Sequence, residues 1–186
     1  MVMNQNNVRS SKIRFGITVF KKNDDRGNIV GQIPKSHTAL QAIIAGITSN
    51  ALTPTGESLE TILNYFGDRT QSPIESACQY NFILLMTDGL PTVDVDVSSY
   101  LHDADGDGND PGDCASIGSS YPNSMDCSDH MDDVAWWMAN EDVNSHIDGD
   151  QHVYTYVIGY NANAPLLQET AENGQGLFFE AKNAVE

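Results

Sequence analysis

The chain has 186 residues, 40% of them hydrophobic, with 9 Lys and Arg against 26 Asp and Glu, for a formal net charge of -17. That length is enough for one domain with its own core. The acidity repels phosphate backbones and anionic membrane surfaces, so it argues against nucleic acid and membranes as partners and makes divalent cations the natural counter-charge; part of it also serves solubility. No apolar run approaches the roughly 20 residues that cross a bilayer. The opening stretch MVMNQNNVRSSK is polar and lacks the apolar segment of a secretory signal. Taken literally this means cytoplasm; it also fits a piece of a longer chain.

In chain order, KIRFGITVF (12–20) alternates Ile13, Phe15, Ile17 and Val19 with polar or small residues and reads as a strand. KKNDDRGN is a turn. HTALQAIIAGI (37–47) has helical spacing, and TPTGESLETILNYF (53–66) continues as an amphipathic helix with Leu59, Ile62, Leu63 and Phe66 on one face. FILLM (82–86) is a continuous apolar run, as in a parallel strand covered on both faces. Residues 90–130 are rich in Asp, Gly, Ser, Asn and Pro and form a long insertion loop, of a length that compact domains seldom carry without a function. MDDVAWWMANED is a short helix with Val134, Trp137 and Met138 on one side, and Trp136 and Trp137 read as helix core and rim. VYTYVIGY (153–160) is a strand, APLLQETAENG a helix ending near Gly174, and GLFFEA a closing strand. This alternation predicts one α/β domain over residues 1–186, a mostly parallel sheet with helices on both faces.

In open α/β sheets, ligands bind beyond the carboxyl ends of the strands. FILLMTDG delivers Asp88 to that edge, although Asp-Gly is also a common turn. TPTG sets Thr53 and Thr55 at a helix start, where either hydroxyl can cap the helix or, with Asp88, meet a hard cation such as Mg²⁺.

TPTG before a helix and FILLMTDG at a strand end resemble two of the three motifs that form the metal-ion-dependent adhesion site of a von Willebrand factor type A domain. SPIESACQYNFILLMTDGLPT, MDDVAWWM and VYTYVIGYNANAPLLQETAENGQGLFFEAKN narrow the resemblance to the type A domain of the PilY family of type IV pilus tip adhesins, over about residue 12 to the end. The resemblance implies a Rossmann-like fold, a Mg²⁺ or Mn²⁺ site on Thr53 (or Thr55) and Asp88, and no enzymatic activity. The family's first motif, Asp-x-Ser-x-Ser, is missing, so the chain is expected to lack the central strand and its helix. Three of five side-chain ligands go with them, leaving that metal site weak.

HDADGDGNDPGDC (102–114) carries a second constellation. Asp103, Asp105 and Asp107 alternate as positions 1, 3 and 5 of an EF-hand-type loop, Gly108 falls at position 6, and Asn109 would donate its carbonyl at position 7. Position 12 is Cys114 instead of Glu, so Asp110 or Asp113 substitutes. Carboxylates this dense repel one another unless a cation such as Ca²⁺ offsets the charge. Asp126, Asp129, Asp132 and Asp133 precede a helix and read as capping residues suited to its N-terminal dipole. Cys114 and Cys127 share one loop-like stretch in which pairing is possible, and Cys78 stands alone before the apolar strand. The five histidines show no metal spacing, and no Ser-His-Asp pattern or phosphate-binding glycine loop is visible.

The leading expectation is a non-enzymatic, metal-dependent adhesion module. Its family acts in pilus biogenesis, surface attachment and twitching motility. Its partner would be a protein ligand supplying a carboxylate, among pilus components or on a host or surface receptor. The resemblance also implies export to the cell surface, pilus tip or outer membrane by a signal peptide absent from this chain, which permits a Cys114–Cys127 disulfide. The alternative is an intracellular type A domain partnering an ATPase, as in chelatase-like assemblies. A metal-dependent hydrolase ranks last, because no nucleophile or base stands at defined spacing.

Overall fold

The computed structural model describes residues 13–20, 26–48, 52–92, 94–108 and 128–182. Two strands, β1 (Ile17–Phe20) and β2 (Gly27–Gly31), pair antiparallel. Helices α1 (His37–Gly46) and α2 (Thr55–Gly67) follow, then β3 (Asn81–Thr87), α3 (His130–Asn140), β4 (Val153–Tyr160), α4 (Pro165–Asn173) and β5 (Gln175–Ala181). Strands β3, β4 and β5 form a parallel sheet in that order, with Asn81 opposite Val153 and Thr87 opposite Gly159. The α/β class and the parallel pairing of FILLM with VYTYVIGY follow the sequence expectation. The hairpin β1–β2 does not: of the described residues 13–20 only the last four are strand, and β2 lies where the sequence showed a turn and nothing regular after it.

Side chains alternate across β3 and β4 as the pleat requires. Ile83, Val153 and Val157 face inward and join Leu59, Leu63 and Phe66 of α2, Met131, Val134 and Met138 of α3, and Leu166 and Leu167 of α4 in one core. At the end of α4 the chain passes so close to β4 that a side chain on Gly174 would lie 2.6 Å from the Thr155 Cβ, a position that requires glycine.

The opposite face corrects an expectation. Phe82, Leu84 and Met86 are 57, 61 and 64% exposed, and Leu177 and Phe179 on β5 are open as well. Among the described residues, this sheet carries helices on one face only. The bare face is held by aromatic neighbours of its own, Phe82 lying 6.0 Å from Tyr154 and 6.1 Å from Tyr156 between ring centroids.

The 90–130 stretch also departs from a simple loop. Val97 and Leu101 enter the core, residues Ser99–Leu101 make a 3₁₀ turn, and Tyr100 meets Trp137 edge-on at 5.8 Å. Asp94 is fully buried.

Candidate metal centre

The first site expectation concerns Thr53, Thr55 and Asp88. Thr53 is tied to the segment after β3 by reciprocal bonds: its N–H donates to Thr92 Oγ1 at 2.9 Å, and its carbonyl accepts from the Thr92 N–H at 3.0 Å. This docks the start of α2 four residues beyond Asp88, which is exposed in the turn after β3. That turn is fixed by Thr87, whose hydroxyl donates to the Gly89 carbonyl at 2.9 Å. Neither Thr53 nor Thr55 caps α2 with its side chain: Thr55 Oγ1 donates to the Thr53 carbonyl at 3.3 Å.

The cap comes from Asp94. Its Oδ2 accepts from the Gly56 N–H at 2.9 Å and its Oδ1 from the Glu57 N–H at 3.2 Å, so two orphan donors of the first helical turn are satisfied from another segment. Glu57 in turn accepts the Asp96 N–H on Oε1 at 2.8 Å, while its Oε2 is buried with no donor among the described residues. Burial first, then the Asp94 carboxyl beside it, pushes Glu57 up to about 10. Asp94 is also raised by burial. No sequence signal marked this pair, because it depends on a contact between residues nearly forty positions apart.

The second expectation concerns the acidic loop. Asp103, Asp105 and Asp107 each place a carboxylate oxygen within 4.8 Å of the others, a group that can hold a metal ion and the one such group of three among the described residues. The backbone curls as the position-1-to-6 reading requires. Gly108, at φ +81°, donates its N–H to Asp103 Oδ1 at 2.8 Å, and the Asp107 N–H reaches Asp105 Oδ1 at 3.1 Å. Asn109, Asp110, Asp113, Asp126 and the cysteines Cys114 and Cys127 lie outside the described residues. Cys78 is free and exposed.

Compared with known proteins, the chain matches no family model, no curated protein and no solved structure.

The acidic loop is not alone. It sits between the first turn of α3 and the last turn of α4. The Ala104 N–H donates to Asp133 Oδ1 at 2.7 Å, and Asn173 Nδ2 donates to Asp105 Oδ2 at 2.7 Å with Asp132 Oδ2 at 3.5 Å. Asp132 and Asp133 stand in the first turn of α3, where their charge suits the helix dipole as expected, but the side-chain cap expected of these residues is corrected. Asp129 occupies the N-cap position of α3 but makes no side-chain cap bond, and Asp133 is spent on the loop. Asp129 and Asp132 are each only 3% exposed. Among the described residues, both carboxylate oxygens of Asp129 and Oδ1 of Asp132 meet no hydrogen-bond donor. Burial raises Asp129 to about 6, with the charges of Asp133 and Asp107 adding to it. Burial, then Asp133 and Asp105, raises Asp132 to about 8. Asp105 and Glu169 are raised too, by burial first and by this same group of carboxylates.

His130 completes the surroundings. It is fully buried, stacks on His102 at 4.4 Å, and lies 3.7 Å from Asp133 Oδ2, beyond hydrogen-bond reach. His102 is held by a 2.9 Å contact of Nε2 with the Val97 carbonyl.

Proposed function

We propose that the chain is a non-enzymatic, metal-dependent adhesion or interaction module, built like a von Willebrand factor type A domain and related to the tip adhesins of type IV pili. In this reading it acts at the cell surface in pilus biogenesis, attachment and twitching motility. The observation that carries the reading is the grouped carboxylates of Asp103, Asp105 and Asp107, whose oxygens converge around glycine-curled backbone. All-oxygen ligands on an irregular loop suit Ca²⁺, which takes 6–8 oxygens at about 2.3–2.6 Å in flexible geometry, better than the strict octahedron of Mg²⁺.

Ca²⁺ there has a structural role, ordering the loop against α3. Partner binding is assigned to the start of α2, whose Thr53 is bonded to Thr92 in the segment that follows Asp88. Mg²⁺ or Mn²⁺ on Asp88 and a threonine hydroxyl keeps open positions, and a partner carboxylate fills one of them. With so few protein ligands the ion binds weakly until the partner arrives.

The test is biolayer interferometry of the chain on immobilised Glu- and Asp-containing peptides, in Mg²⁺ with Ca²⁺ and then in chelator. Binding that needs metal and is lost in Asp88→Ala supports the module. Binding indifferent to chelator contradicts it.

A further inference from the structure

Parallel sheets occur almost only with both faces covered, because their outward side chains are as apolar as their inward ones. The sheet of β3, β4 and β5 keeps that apolar pattern, yet among the described residues helices cover one face only. On the bare face the register sets Phe82, Leu84 and Met86 opposite Tyr154, Tyr156 and Ile158. Phe179, opposite Ile158, and Leu177 extend the row onto β5. None of these eight side chains is charged, in a chain of net charge -17. Depletion of charge at the centre of a patch, with Tyr and Phe in its place, separates an interface from ordinary surface.

The area decides what fits. Tyr80, Phe82, Leu84, Met86, Leu177 and Phe179 are each more than half exposed. At about 200 Å² for an aromatic side chain, and somewhat less for Leu and Met, the face offers roughly 600–800 Å² to a partner. The largest apolar patch on an ordinary monomer is about 300–600 Å², whereas a standard interface takes about 800 Å² from each side. An uncharged face gives an acidic or basic partner nothing to read. A second copy brings a face of the same size and character, and a twofold axis makes the two self-complementary. Sheets pack face to face at about 10 Å in this way.

We propose that this face joins two copies of the chain, sheet against sheet about a twofold axis. Association rests on the face alone and on no bound ion. Below the dissociation constant the chain is a monomer with Leu84 open to water; above it Leu84 is covered. Two copies, each of net charge -17, repel, and salt screens that repulsion over about 8 Å at physiological strength, so the dimer tightens as salt is added. On the adhesion reading, a dimer offers a surface two partner sites in place of one, which raises avidity without a new contact.

Sedimentation velocity tests it, from about 1 to about 100 µM chain, the range in which an interface of this size associates at its weakest. The variants are Leu84→Glu and Leu177→Glu on the face, and Ile44→Glu on an exposed apolar position of α1 as control, each checked for folding by circular dichroism. Wild type and control are expected to sediment as dimers at the upper concentrations. Each face variant sets like charges inside the contact and is expected to weaken association more than about a hundredfold. Peroxide oxidation of Met86, read by mass spectrometry, supplies a second readout and should slow as wild type dimerises. A wild type that stays monomeric throughout, a dimer that survives both face variants, or a dimer that loosens with added salt overturns the proposal. So does a monomer whose Met86 is protected at every concentration, since the chain's own residues then cover the face. Should one face variant fail to fold, the other decides.

Discussion

Replacing Glu57 with Gln isolates the buried carboxyl pair under α2. In the fold Glu57 is raised from its ordinary 4.5 to about 10, by burial first and then by Asp94. At neutral pH it therefore keeps its proton, and the Asp94 carboxyl, already accepting from the Gly56 and Glu57 N–H groups, is the natural acceptor for it. The unfolded chain releases that proton near its ordinary value. The folded state then binds more protons than the unfolded state across the window from 4.5 to about 10. Stability from this group is full below the window and is lost as pH rises through it, by at most about 1.4 kcal/mol per pH unit. The Gln variant, which places an amide donor where the acid hydroxyl was, has no such slope. Measured by urea unfolding, its stability relative to wild type should rise by roughly 2–3 kcal/mol between about pH 6 and about pH 8. Titrating groups that do not touch Glu57 cancel in the difference; Asp94, which does, adds to it. Parallel stability curves for the two proteins would refute a protonated Glu57, and so would a variant losing more than about 2 kcal/mol at neutral pH, the scale of a broken buried charge interaction.

The remaining expectations use the same logic. Asp94→Ala removes the acceptor for two N–H groups of the first turn of α2 and should cost about 1–3 kcal/mol in urea unfolding; a loss under about 0.5 would mean that another group caps the helix. Asp132 is raised to about 8 and Asp129 to about 6, burial being the first cause, so the fold loses their contribution as pH climbs through those values. Asp132→Asn should therefore lose less stability than wild type between about pH 5 and about pH 8 in urea unfolding, and parallel curves would contradict a protonated Asp132. Val157→Ala, on the covered face and fully buried, should cost about 1–3 kcal/mol, whereas Leu84→Ala on the bare face should stay within about 1; equal costs would mean that the bare face is covered in solution.

Much of the fold was legible because its signals are local. VYTYVIGY is β4 to the residue, FILLM is the middle of β3, and the helix at 165–173 begins on a proline and ends before a glycine, which is how chains mark such boundaries. GNIVG was missed because three residues between two glycines offer no alternation to read. A continuous apolar run does not reveal whether one or both faces are covered, so FILLM was expected to be sandwiched, and its outward residues are bare. The loop carboxylates were legible from the spacing of Asp103, Asp105, Asp107 and Gly108. The burial of Asp129 and Asp132 was not, since Asp before a helix is so often a cap; only the third dimension shows that, among the described residues, both Asp129 oxygens and Asp132 Oδ1 meet no donor. The Glu57–Asp94 pair is likewise a product of chain return.

The central claim is that the acidic loop is a calcium site on which the module depends. Thermal unfolding of the wild-type chain, first with excess Ca²⁺ and then with excess chelator, tests it most directly. An ion that binds only the folded state stabilises it by mass action, about 2.7 kcal/mol at a hundred times the dissociation constant, so the melting point should rise with Ca²⁺ and fall back with chelator. An unchanged melting point in the two conditions would contradict the account.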